Sequence, residues 1–209
     1  MSLIYDVVIP ASGKGERSGL PYNKVFYVLD DGINILRHSL SLFLADEDCR
    51  RVIVVTQPEN FEKIPKDPKI ILCEGGKKRM DSVWQGLQQV QEETVLVHDA
   101  ARPYLNRREL EDLKDALEEC DAAILAVPGK DTLKRVRNGR IVETLDREEI
   151  WLAQTPQGFR TKLLKEAYAQ RDPEKIYTDE ASLLEGKAEV WVVKGDPGNH
   201  KVTFPSDLR

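Results

Sequence analysis

The chain has 209 residues, 41% hydrophobic and 32% charged, which is enough to fill the core of one domain, and no apolar run approaches the length of a membrane span. A net charge of −5 and a pI near 5.4 speak against bulk nucleic-acid binding, while local cations at Lys14 to Lys24 and at Lys77-Lys78-Arg79 suit a small anionic ligand. The three cysteines (Cys49, Cys73, Cys120) are odd in number and lack C-x-x-C spacing, and no signal peptide opens the chain, which argues for a reducing cytoplasm and against a disulfide or zinc framework.

A short apolar strand, Tyr5 to Ile9, runs into the loop PASGKGERSGLPYNK, Pro10 to Lys24. Gly13, Gly15 and Gly19 allow tight turns and close backbone approach, and successive N–H groups in such a turn cradle an anion. Lys14, Arg17 and Lys24 on the same loop imply a multiply charged one, a nucleoside triphosphate, although a solvated Gly-rich turn is the simpler alternative. The loop is not a Walker loop, because Gly15 follows Lys14 where a magnesium-binding hydroxyl is required. Nor is it the dinucleotide fingerprint, whose third glycine is replaced by Ser18. Both failures point away from kinases and dehydrogenases.

Further along, Val52 to Val55, Ile70 to Cys73, Val95 to Val97 and Ala123 to Val127 are short apolar runs that predict strands buried on both faces of a parallel sheet. Leu36, Leu40, Phe43 and Leu44 form a helical stripe, as do Val83, Leu87 and Val90, and Leu110, Leu113 and Leu117. The alternation predicts an α/β sandwich with ligands at the carboxyl ends of its strands. Gly75-Gly76, followed by Asp81 and Ser82 at a helix start, offers backbone groups to a base edge, or is a plain turn and cap. His98-Asp99-Ala100-Ala101-Arg102-Pro103 follows a strand, so Asp99 is a candidate magnesium or ribose ligand and the small alanines allow close nucleotide packing; an Asp99–Arg102 loop pair is the alternative. Leu133 to Leu145 reads as a hairpin about Asn138-Gly139, which needs something to pack on, either its own domain or a second subunit. Thr155-Pro156-Gln157 is expected after the next strand. A helix over about Lys162 to Gln170, a short helix capped by Thr178 and stopped by Gly186, and a strand Glu189 to Lys194 complete the chain.

The glycine loop with Arg17 and Lys24, then HDAARP, DTLKR, LDR, TPQ, TDEAS and HKVT, occur in an order that closely resembles the 2-C-methyl-D-erythritol 4-phosphate cytidylyltransferase family, over Pro10 to Thr203. The resemblance implies a Rossmann-like nucleotidyltransferase three-layer sandwich with a mostly parallel sheet, one domain over 1–209, and a projecting β-hairpin dimerisation arm at 131–150. It implies a homodimer acting on small molecules, with no nucleic-acid or membrane partner. CMP would pass from CTP to methylerythritol phosphate, with Mg2+ as cofactor. Arg17 and Lys24 are then catalytic; Ala11, Ser12, Gly13, Gly76, Ser82, Asp99 and Ala100 bind nucleotide; Asp99 meets the metal; Thr132, Arg147, Thr155 and Lys201 bind the sugar phosphate, Arg147 in the partner's site. The chain departs from the family pattern at Lys77, usually acidic, and at His200, usually apolar, and relatives typically add a helix beyond the position of Arg209. A ribitol-5-phosphate cytidylyltransferase is the alternative, with a Rossmann reductase or a non-catalytic nucleotide-binding module more remote.

Overall fold

The computed structural model describes residues 2–13 and 19–208. Nine strands and four α-helices alternate in it: β1 (Tyr5–Pro10), α1 (Ile35–Ala45), β2 (Cys49–Thr56), β3 (Ile70–Glu74), α2 (Arg79–Leu87), β4 (Thr94–Val97), α3 (Arg107–Glu119), β5 (Ala122–Pro128), β6 (Lys134–Arg137), β7 (Arg140–Thr144), β8 (Trp151–Arg160), α4 (Thr161–Ala169) and β9 (Trp191–Lys194). Seven strands form one sheet in the order β3-β2-β1-β4-β8-β5-β9, and β6 and β7 pair separately. Pairing is parallel throughout the large sheet except at β8, which runs antiparallel to both β4 and β5.

Alternation along the strands divides the apolar residues between two cores. Tyr5, Val7 and Ile9 of β1 pack with Leu36, Leu40 and Phe43 of α1 and with Leu110, Leu113 and Leu117 of α3. Val8, from the opposite face, packs with Val83 and Leu87 of α2 and Leu164 of α4. The three helical stripes read from the sequence are therefore the inward faces of their helices. Asn106 caps α3 through a capping box with Glu109, and Asn34 caps α1 by accepting from the Arg37 N–H.

The structure corrects the sequence reading at three elements. The β3 run is an edge strand, half exposed, with Leu72 open to solvent, because no strand among the described residues pairs on its outer side. Thr155-Pro156-Gln157 lies inside β8. The helix expected from Thr178 to Gly186 is only a 3-10 turn at Ala181–Leu183, without a side-chain cap, because the Glu180 side chain is drawn inward to Arg79 while the Asp179 and Gln157 side chains bond the turn's N–H groups. The hairpin does not fold back on its own domain. All residues of β6 and β7 are exposed, Val136, Ile141 and Val142 among them, about a turn in which Asn138 and Gly139 both adopt positive φ.

Candidate active site

The nucleotide-type residues gather where β1 and β3 end and α2 begins. Ala11 is buried; its N–H donates to Val55 O at 2.7 Å, and its own carbonyl accepts from Asn23 Nδ2 at 2.6 Å and Thr56 Oγ1 at 3.2 Å. Ser12 Oγ donates to Val55 O at 3.0 Å. A Cβ on Gly75 would overlap the Ser12 side chain, so the glycine is what lets the two strand ends touch. The Gly76 N–H donates to Ser82 Oγ at 3.1 Å, and Ser82 Oγ donates on to Lys78 O at 3.2 Å. Gly13 is exposed at the described edge of the loop, and Lys24 opens a 3-10 turn whose N-cap is Asn23. Lys14, Gly15 and Arg17 lie outside the described residues.

The end of β4 supplies the charged centre. His98 is fully buried, with Nε2 3.1 Å from Arg102 O and Nδ1 3.2 Å from Thr155 Oγ1, while the Asp99 N–H donates to Thr155 Oγ1 at 2.9 Å. One proton arrangement satisfies all three contacts: Nε2–H donates to the Arg102 carbonyl, and the Thr155 hydroxyl donates to Nδ1. Burial pushes the His98 pKa down to about 4, so the ring is neutral at physiological pH. The Asp99 carboxylate accepts from Arg79 Nε at 2.9 Å on Oδ1 and from Lys201 Nζ at 2.6 Å on Oδ2. Burial alone would raise its pKa, but the Arg79 and Lys201 charges overcome that and hold it well below the usual carboxylate range.

A cleft of about 240 Å³ opens beside this pair, lined by Arg79, Asp99, Arg102, Thr155, Asp179 and Lys201 among others. Arg102 is nine-tenths buried, yet among the described residues its Nη atoms donate to the carbonyls of Asn199 (2.6 Å) and Ala153 (3.2 Å), and its Nε has no partner. The direct Asp99–Arg102 side-chain pair considered from sequence does not form; only the Arg102 N–H reaches the Asp99 carbonyl, at 3.0 Å. A buried guanidinium bonded to neutral groups beside an open cleft is suited to receiving an anion.

Of the residues singled out in the sequence, Asp99, Thr155 and Lys201 thus meet in the cleft, and Ala11, Ser12, Gly76 and Ser82 meet at the neighbouring strand ends. Ala100 and Ala101 are buried, Ala100 within the core under α1 and with its carbonyl bonded to Ser39 Oγ at 2.9 Å. Thr132 and Arg147 stand exposed at the base of the hairpin, outside the cleft. Arg79, Arg102, Thr178 and Asp179 also line the cleft; the sequence offers Arg79 in a basic run, Arg102 as a partner for Asp99 and Thr178 as a helix cap, and only tertiary contacts bring them to the site. A group of three metal-ligating side chains is absent among the described residues, so a metal would fit at Asp99 only as one carboxylate ligand completed by a substrate's phosphates and by water.

A Rossmann-like sandwich with cationic groups converging at its strand ends, beside a glycine loop, is the architecture of a nucleotidyltransferase. A profile of the 2-C-methyl-D-erythritol 4-phosphate cytidylyltransferase family matches residues 5–209. A protein of that name from Halalkalibacterium halodurans is 41% identical over 216 residues, covering 98% of this chain and 93% of its own. The crystal structure of the protein of that name from Thermus thermophilus superposes with a TM-score of 0.82 at 33% identity, covering 100% of this chain and 96% of that one. The 4-diphosphocytidyl-2C-methyl-D-erythritol synthase of Anaerococcus prevotii gives a TM-score of 0.87 at 26% identity, over 99% and 95% of the two chains. The chain belongs to the 2-C-methyl-D-erythritol 4-phosphate cytidylyltransferase family.

Proposed function

We propose that the chain transfers CMP from CTP to 2-C-methyl-D-erythritol 4-phosphate and releases pyrophosphate. The observation that carries this reading, within the family match, is the convergence of Lys201 and the carbonyl-bound Arg102 on a cleft at the end of β4, the strand beside β1. A phosphate oxygen of the sugar attacks the α-phosphorus of CTP; the bond to the β-phosphate oxygen breaks, and pyrophosphate leaves with that electron pair. The attacking monoester has a second pKa near ~6 and is already largely dianionic, so no general base is required. The protein's task is to bring two anions together and neutralise them.

In this reading Ala11, Ser12 and Gly13 lie against the triphosphate, with Arg17 and Lys24 countering the charge that develops at the α-phosphorus. Gly76 and Ser82 meet the base, and Asp99 and Ala100 flank the ribose. Thr155 and Lys201 hold the sugar phosphate from within the subunit, joined by Thr132 and Arg147. Asp99 would also ligate the Mg2+ that accompanies CTP, which supplies further neutralisation of the phosphates. The projecting hairpin within residues 131–150, with Val136, Ile141 and Val142 open to solvent, supports a homodimer in which this arm crosses to the partner and carries Arg147 into its site, the rest of 1–209 forming one nucleotidyltransferase domain. The free thiols of Cys49, Cys73 and Cys120 suit a reducing cytoplasm, and no helix among the described residues is long and apolar enough to cross a membrane.

Pyrophosphate release assayed across the four nucleoside triphosphates tests the reading. CTP with methylerythritol phosphate and a divalent metal should support turnover. Equal turnover with ribitol 5-phosphate, or none with methylerythritol phosphate, rejects it.

A further inference from the structure

Arg79 stands where the nucleotide end of the site meets the acceptor end. It is the first residue of α2, and Ser82, which holds the Gly76 N–H, lies in the same first turn. Its Nε donates to Asp99 Oδ1 at 2.9 Å, and its two Nη atoms donate to the two oxygens of Glu180, each at 2.9 Å. Glu180 is fully buried and also accepts from Tyr168 Oη at 3.0 Å. Tyr168 is itself fixed from behind by stacking on Trp84 with ring centroids 5.6 Å apart. Thr178 and Asp179, the residues just before Glu180, line the cleft.

Charge alone does not account for this arrangement. Lys201 already neutralises Asp99 through the other oxygen, at 2.6 Å. Stability alone does not account for it either, because a buried ion pair is often matched or bettered by neutral residues of similar volume. The guanidinium adds direction. Bonded through all three nitrogens to two carboxylates, a planar fork has one orientation, whereas an ammonium has none. On the cytidylyltransferase reading, we propose that Arg79, locked by Glu180, is a positioning residue: it fixes the Asp99 carboxylate and the Thr178–Asp179 segment relative to the first turn of α2, so that nucleotide and sugar phosphate meet in line.

The test compares wild type with Arg79→Lys and with the double variant Arg79→Gln/Glu180→Gln, which removes both buried charges together and leaves two amides able to pair. The double variant should melt near wild type and bind CTP, measured by calorimetry without acceptor, almost as tightly. Its kcat should fall on the order of 100-fold, the scale of a misplaced reacting group. Arg79→Lys should fall comparably although its charge is kept. Wild-type turnover in either variant overturns the proposal. A second measurement decides the matter should the double variant not fold: guanidinium salt added to Arg79→Ala should raise kcat, while ammonium salt at equal ionic strength should not. Equal responses to the two salts, or none, overturn the proposal as well. Absence of CTP-dependent turnover in wild type would instead reject the underlying reading.

Discussion

His98 is the residue with the most specific solution signature. Its pKa is depressed from 6.5 to about 4 by burial, so the unfolded chain binds more protons than the folded one between those values. Stability from this group is complete above the unfolded pKa and is lost as pH falls through 6.5 toward 4. The pKa difference corresponds to about 3 kcal/mol across that window. The gap in unfolding free energy between wild type and His98→Gln, followed by denaturant melts, should therefore narrow by about that amount from pH 7 to pH 4. A constant gap would mean that the ring titrates normally. At this scale the sequence was partly legible. Asp99 is legible at the end of an apolar run, whereas Thr155 and Lys201 are named only through the order of motifs shared with the family. Arg79 is legible only as part of a basic run, Arg102 only as a partner for Asp99, and Glu180 only as a member of TDEAS. What distinguishes them is a set of partners far away in sequence, such as Glu180 for Arg79, and periodicity carries no information about those.

At the scale of elements, α2 is set close against the sheet at Gly86. A Cβ on Gly86 would come within 2.5 Å of Val8 Cγ1 and 2.8 Å of Val55 Cγ2, both fully buried residues. Alanine improves helix propensity by up to ~1 kcal/mol, but overpacking at rigid β-branched neighbours costs ~1–3 kcal/mol and should win. Gly86→Ala should thus lower the melting temperature, by about 2–4 °C per kcal/mol lost for a chain of this size. An unchanged or higher melting temperature would show that α2 shifts freely. Helix faces were legible because the stripes Leu36-Leu40-Phe43 and Leu110-Leu113-Leu117 repeat at the helical period. β8 was misread because Pro156 resembles a strand terminator, and only the pairing of residues on both sides of it with β5 shows the strand continuing. The 3-10 turn at Ala181–Leu183 was misread because Thr178 and Gly186 imitate helix ends, while the intervening Glu180 is committed to a contact elsewhere.

For the whole molecule, the dimer proposal makes a quantitative demand. Arg147→Ala and Lys24→Ala subunits should each be nearly inactive alone, since losing one oriented charge donor costs ~10²–10³ in rate. If Arg147 acts across the interface, a mixed dimer has one site carrying both defects and one carrying neither, so activity should recover toward half of wild type per mixed dimer. No recovery, with subunit exchange verified, would leave Arg147 acting within its own subunit or outside catalysis. The reversed direction of β8 bears on how such an assembly diversifies. Because β8 starts at the end of the sheet where its parallel neighbours finish, the chain passes from the hairpin to Thr155 and Gln157 within a short continuous stretch. On the proposed assignment the arm and Thr155 thus share one stretch, roughly 129–157, while Lys201 follows downstream and the nucleotide end is encoded upstream. A chimera exchanging that stretch between relatives would then move subunit pairing together with the Thr155 part of the acceptor wall and leave the nucleotide end untouched.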